Sequence, residues 1–412
     1  MRRGCVAYGL ILIPFIPLLN ILPSPEQSLF YLSDVLVLSV IFWTIAFSLA
    51  SKSYCLMRTD IDLPFLGYSL ISALAVLVPM VSKSDVEGNI RLFKILFESY
   101  FIYYTTVAIL VFRRDILEKV IFATLIVCSI ISILAVFQFL KTGSVPGSVF
   151  NDSEMLSIYL TLVLPLALGV LVYSDERVNR VLAAAAFLSG GMALFLSYSR
   201  AGWISGAVTS LILAIHYLFF ADRYLRTDRA GRHRKKKALF VILTLSSLLC
   251  LWFCYVERLV RDIFYARFMS IFSDYTLGGR VDLWKSAWRL IQDSPLLGHG
   301  AFPNVYNLYL QVAGQFGLVA LAFFFFLFLK FFGVVFIRLK NVKSPRERGI
   351  VVAGSLGVLG LLIVGMAESS LGSRMSPLFW MQVGMVMALQ KMADNRQGRA
   401  SGSHLHMSLA RN

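Results

Sequence analysis

"LFLSYSRAGWISGAVTSLILAIHYLFF", residues 194–220, closes one apolar run, turns through two serines and an arginine, and enters another. The second run, 201–220, has the ~20 residues a helix needs to cross a bilayer core and carries no Asp, Glu, Lys or Arg. The run before it, 179–197, is its mirror. The stretch therefore reads as two membrane helices joined by a tight turn, with Arg200 at the membrane edge.

The same pattern recurs in both directions. Apolar runs fall at 4–22, 29–50, 63–82, 93–112, 117–140, 155–173, 179–197, 201–220, 238–256, 307–337, 349–367 and 375–391, about twelve spans by length. A chain that is 58% hydrophobic and 15% charged, with mean hydropathy +0.74, would expose sticky surface everywhere if soluble. The net charge of +16 raises the question of nucleic acid. Its distribution argues against that partner, because the basic residues lie in short loops between apolar runs. Met1-Arg2-Arg3 before an apolar run resembles a signal peptide, yet "NILPSPEQS" (20–28) has no small-x-small cleavage site, so a retained first helix is expected.

Lys and Arg set orientation, since they accumulate on the cytoplasmic side. "DRYLRTDRAGRHRKKK" (222–237) and "RLKNVKSPRER" (338–348) are the densest basic segments, and both fall inside when the N-terminus is inside. The expected fold is all-α: a polytopic membrane protein of about twelve transmembrane helices, N-in and C-in. Residues 1–392 form one transmembrane domain, with a large external loop over about 257–306 before the last three spans. Residues 393–412 form a polar cytoplasmic tail, expected to be disordered. Of the five cysteines, Cys250 and Cys254 are one helical turn apart, a poor geometry for a bridge. No disulfide framework and no metal-ligand spacing is present, so neither a metal nor another cofactor is expected.

Two external segments concentrate polar groups. In "SYSRAGW" (197–203) Arg200 opens a helix. A cation there opposes the helix dipole, but free backbone amides, the hydroxyls of Ser197 and Ser199, and a guanidinium together make an anion site. The alternative is an arginine snorkelling beside an interfacial Trp203. "GGRVDLWKSAWRLIQDSPLLGHG" (278–300) reads as a short amphipathic helix, begun after Gly278-Gly279 and stopped by Ser294-Pro295. Val281, Trp284, Trp288 and Ile291 make its apolar face; Asp282, Lys285, Arg289 and Gln292 make its polar one. The helix is expected to lie in the outer interface, its tryptophans among the headgroups. Arg280 again sits at a helix N-terminus. At the entry to the next span, Asn307 and Gln311 share a face one turn apart, which is less usual at a lipidic boundary; Tyr306 and Tyr309 sit at the depth of an aromatic belt.

These segments, with "VFNDSEMLSIYLTLVLPLAL" (149–168) and "NLYLQVAGQFGLVAL" (307–321), resemble the O-antigen ligase and polysaccharide polymerase family of bacterial inner membranes, over roughly residues 60–390. The resemblance implies a metal-independent, inverting glycosyl transfer on the periplasmic face. The implied donor is a glycan on undecaprenyl diphosphate. The implied acceptor is the sugar core of lipid A or the end of another lipid-linked glycan. Its two diphosphate-holding arginines fall on Arg200 and Arg280, with Ser199 beside the first. Asn307, Gln311 and Arg289 are expected to contact acceptor or glycan. One position departs from the family: where it has the histidine proposed as base, just before "NLYLQ", this chain has Tyr306. An ordinary tyrosine, titrating near 10, is a poor base at neutral pH. His299 is the only external histidine, since His216 and His233 fall on the cytoplasmic side and His404 and His406 in the tail. The catalytic expectation is therefore Tyr306 orienting the acceptor and His299 taking its proton, with Asp282 as the next candidate.

A transporter or a non-catalytic assembly factor is the rival class. Transporters tend to show paired repeats or charges near mid-span. Here Glu98 and Lys330 are the exceptions to uncharged spans, and polar groups gather at one face, which favours a membrane-face enzyme. Among the enzymes the reading leans to a ligase over a polymerase. The topology has a direct check: alkaline phosphatase fused near Asp274 is expected to be active and a fusion near His233 inactive. The opposite pattern would invert the site.

Overall fold

The computed structural model describes residues 9–19, 34–42, 58–81, 85–150, 152–220, 279–369 and 375–409, which form helices and turns with no strand. The principal helices are α1 (Asp62–Val81), α2 (Val86–Phe112), α3 (Arg114–Thr142), α4 (Ser153–Tyr173), α5 (Arg177–Leu196), α6 (Arg200–Phe220), α7 (Arg280–Asp293), α8 (Leu308–Arg338), α9 (Pro345–Val364) and α10 (Ser376–Leu409). Among the described residues seven helices, α1 to α5, α8 and α9, are long and apolar enough to cross a membrane. Each falls on an expected apolar run, and the protein is a multi-pass, all-helical membrane protein. The expected first span appears as a shorter apolar helix, Gly9–Leu19; the run at 238–256 and most of the 257–306 loop lie outside the described residues. The tail departs from expectation. Helix α10 continues through it to Leu409, because after Pro377 no proline stops the turn.

Helices α4 and α9 form the centre. In each, 89% of the most apolar stretch is buried, against 28% for α5 and 33% for α1 and α8, so lipid-facing surface belongs to the outer helices. The central pair approaches closely because small residues face each other. Gly349, Ala353 and Gly357 follow a four-residue spacing along α9, the usual device where lipid supplies no hydrophobic drive for association. A methyl at Gly357 would lie 2.2 Å from the Leu162 carbonyl oxygen, and one at Gly169 would lie 2.3 Å from Ala353 Cβ. Polar cross-links reinforce the contact. Gln382 of α10 donates to the carbonyls of Leu162 (3.2 Å) and Gly354 (2.9 Å), and Ser205 of α6 donates to Gly360 (2.7 Å).

This packing brings the first turns of α4, α6, α7 and α8 and the last turn of α9 to one end of the bundle. Ion pairs gather the opposite ends. Arg338 meets Asp60 and Asp394 (both 2.7 Å), Arg346 meets Glu118 (3.0 Å) and Glu176 (3.3 Å), and Arg114 meets Glu347 (3.1 Å). Of the two densest basic segments, 338–348 lies at this end, and 222–237 falls outside the described residues.

Helix α8 is broken at Gly317, whose φ of +85° and ψ of 169° are open to glycine alone. Its Cβ position lies 2.1 Å from the Leu296 carbonyl oxygen, so a side chain would also collide with the preceding loop. That loop uses the carbonyls the break exposes. His299 N–H donates to Gly314 (2.8 Å) and Gly300 N–H to Gln315 (2.9 Å), while Leu318 N–H donates to Pro295 (2.7 Å). The segment after α7 is therefore plugged into the wall of α8.

The tight centre predicts the effect of substitution. Gly357→Val overpacks the α4–α9 contact and should cost about 3 kcal/mol or more. Gly333→Ala, where nothing lies within 4 Å, should leave stability unchanged or slightly raised. Thermal denaturation of the two purified variants in detergent reads the difference.

Candidate functional site

Three helix N-termini point at the same space. Asp152 caps α4, accepting from Glu154 N–H (2.9 Å). Ser199 caps α6, its Oγ accepting from Gly202 N–H (3.1 Å). Gly279, with φ +81°, turns the chain into α7. The unpaired amide ends of such helices favour negative charge. Between them lies a cavity of about 480 Å³ lined by Ser199, Arg200, Arg280, Glu154 and Glu368, with Ala201, Ile204, Ile363 and Met366 forming an apolar side. The two arginines singled out in the sequence are thus brought together, although 280 and 200 are on different helices. Trp203 acts locally. Its ring stacks on Phe195 (5.6 Å, 13°) and its N–H donates to the carbonyls of Leu194 (3.1 Å) and Phe195 (3.2 Å), stapling α6 onto the end of α5.

Arg280 is the most heavily engaged group. Its Nη2 donates to Glu154 Oε1 (2.7 Å) and Glu368 Oε1 (3.1 Å), and its Nη1 donates to the Ala367 carbonyl. The Tyr306 ring covers it, 5.0 Å from guanidinium carbon to ring centroid, a cation–π contact. Glu368 is 4% exposed. Burial, together with a hydrogen bond to Glu154 and the charge of that carboxylate, holds its proton affinity well above the ordinary carboxylate range, with Arg280 pulling the other way. Neither acid was singled out in the sequence. The available signal was weak: an acidic residue at the edge of an apolar run, in "SEM" at the start of α4 and "MAE" after α9.

A second cavity of about 370 Å³ adjoins the first, lined by Asp152, Ser153, Glu154, Asn304, Tyr306, Glu368 and Ser369 among others. Tyr306 is held there in left-handed backbone, φ +49°, a conformation that costs a residue with a Cβ about 1–2 kcal/mol. Its N–H donates to Asn304 Oδ1 (3.0 Å), which also accepts from Ser369 Oγ (2.6 Å). Tyr198, at the rim of the first cavity, has φ +53°. Strained backbone at both cavities is the kind that surrounding structure must hold in place.

Other expected site residues are placed differently. His299 lines neither cavity. Its Nε2 is 2.7 Å from the Leu290 carbonyl and its ring stacks on Phe302 at 6.2 Å, so it fastens the loop after α7. Asp282 is 83% exposed and pairs with Lys285 at 3.4 Å. Arg289 is exposed on the outer face of α7. Asn307 caps α8 through Tyr309 and Leu310 N–H (3.0 Å each) and donates to the Met366 carbonyl (2.8 Å). Gln311 clamps the preceding turn, donating to Phe302 O and accepting from Val305 N–H (3.2 Å each), and lines a third cavity of about 270 Å³. The apolar face of α7 also shifts. The inward stripe is Trp284, Ala287 and Ile291, with Trp284 donating to Val305 O at 2.9 Å, while Trp288 is 49% exposed. Arg280, at the head of that stripe, sets its angle. Among the described residues no group of three or more His, Cys, Asp or Glu side chains is placed to hold a metal ion.

Residues 184–325 match a family model described as O-antigen ligase. That span includes Arg200, Arg280 and Tyr306, and it bears out the resemblance read from the motifs. No curated protein matches the chain.

Glu368 gives the site a pH signature. An acid whose proton affinity is raised on folding stabilises the fold below its unfolded pKa of about 4.3, and that contribution is lost as pH rises through the raised native value. Detergent-solubilised wild type should therefore lose more thermal stability than Glu368→Gln, by a few °C, as pH is raised from the ordinary carboxylate range.

Proposed function

We propose, from the premise that residues 184–325 form an O-antigen ligase domain, that the chain moves a glycan from a lipid diphosphate donor to an acceptor hydroxyl. Glycan transfer of the O-antigen ligase or polymerase type is what that domain supports in general. The finer reading takes undecaprenyl diphosphate as the donor's lipid and a lipid A core sugar as the acceptor. It places the site on the periplasmic face of the bacterial inner membrane, with a polymerase acting on the same donor as the alternative.

One observation carries this reading: Arg200 and Arg280 line a single cavity that has helix N-termini on one side and an apolar wall on the other. A lipid diphosphate needs all three. As the glycosidic bond breaks, negative charge grows on the diphosphate, and fixed guanidinium groups and amide dipoles stabilise it without reorganising. A diphosphate so held leaves without being protonated. Tyr306 shields Arg280 from water on its open side, which strengthens the charge interaction.

The arginines give the test. A planar guanidinium binds two phosphate oxygens at once, whereas an ammonium is a point charge. Arg200→Lys and Arg280→Lys, at normal membrane levels, are expected to cut surface glycan transfer about 100-fold, close to the Ala variants. The readout is glycan banding in a strain lacking its own copy of the protein. Full activity in both Lys variants would reduce the arginines to interface anchors.

A further inference from the structure

The two cavities meet at one wall, and the wall is acidic. Ser153, Glu154 and Glu368 line both. On one side stand the two guanidinium groups and the apolar surface that suit a lipid diphosphate. On the other stand the Asn304 amide, the Ser369 hydroxyl and the Tyr306 ring, with no lysine or arginine. Amides, hydroxyls, carboxylates and an aromatic face are the groups that bind a sugar through its hydroxyls. Glu154 and Glu368 lie outside the matched residues 184–325, and the family's histidine position is Tyr306, so neither source supplies a proton acceptor.

We propose that the polar cavity takes the acceptor sugar and that the Glu154–Glu368 pair receives the proton of its attacking hydroxyl. The proposal rests on the glycan-transfer reading above. The two carboxylates accept from the same nitrogen, Arg280 Nη2, Glu154 at 2.7 Å and Glu368 at 3.1 Å. Like charges gathered on one guanidinium resist ionising together, so the pair shares its negative charge, with burial holding the proton of Glu368 more tightly. Arg280 neutralises that charge in the empty site. An arriving diphosphate competes for the same guanidinium, and each hydrogen bond it takes from the carboxylates leaves them more basic. Donor binding thus readies the proton acceptor. Burial of Glu368 acts in the same direction.

The step balances within the site. The acceptor oxygen bonds to the anomeric carbon from the face opposite the diphosphate, and its proton passes to the free carboxylate oxygen. The bond between anomeric carbon and phosphate oxygen breaks, its electron pair staying on the diphosphate, so the anomeric configuration inverts. The proton then leaves to water through the polar cavity.

Glutamine separates this role from a structural one, because its amide oxygen still accepts from Arg280 but cannot take a proton. Glu368→Gln and Glu154→Gln are expected to lose glycan transfer 100-fold or more in the banding assay. Purified in detergent, both should bind farnesyl diphosphate at least as tightly as wild type, because the neutral amide competes less for Arg280. Glu368→Asp, which keeps a carboxylate, should recover part of the transfer. Wild-type transfer in both Gln variants would overturn the proposal, as would loss of farnesyl diphosphate binding together with transfer. A dead His299→Ala enzyme beside active Gln variants would move the role to His299. A wild-type protein that neither binds farnesyl diphosphate nor restores glycan would instead remove the glycan-transfer reading itself.

Discussion

A half-buried guanidinium at the end of an apolar bundle, that of Arg280, is the constraint around which the rest is arranged. Taking an arginine out of water costs several kcal/mol unless its charge and its donors are met. Arg280 is met from three directions by groups far apart in the chain: Glu154 at the start of α4, Ala367 and Glu368 after α9, and Tyr306 before α8. Each partner meets part of its charge or its donors, so these elements are tied to each other through one side chain.

The convergence is possible because the core permits it. Small residues along α9 let α4 approach to backbone contact, and that approach sets the spacing between Glu154 and Glu368. A larger side chain at Gly357 would separate the helices and with them the two carboxylates. Packing in the lipid-shielded centre and chemistry at the exposed end are thus one problem. The same logic explains why the polar cross-links from Gln382 and Ser205 lie on α4 and α9: they hold the members whose ends must register.

Much of this was legible in the sequence, and the parts that were not share a cause. Helices write themselves locally, so long apolar runs and the capped stretch 280–293 could be read from periodicity and flanking glycine and proline. Arg200 and Arg280 stood out because each combines a cation with a helix start, a conflict visible within a few residues. Glu154 and Glu368 carry no such local mark. Their meaning comes only from meeting Arg280, and nothing short of the packed structure brings those three segments together. His299 was misplaced for the converse reason. Its residue type suits proton transfer, but Gly317 opens α8 and the loop that carries His299 is drawn onto that opening, away from both cavities. Trp288 followed the apolar spacing, yet the inward stripe runs through Trp284, Ala287 and Ile291, in line with Arg280, and leaves Trp288 outside it.

The break at Gly317 has one more effect. Because residues 299 and 300 are bonded to 314 and 315, the chain between them is a closed ring, fastened at its base and braced across its middle by Gln311. Tyr306 sits on the far side of that ring, its backbone fixed by contacts that do not involve its own side chain. The position behaves as a socket: the scaffold presents whatever residue occupies it to the same space beside Arg280. Exchange of the residue there changes the side chain offered to that space and leaves the mounting intact.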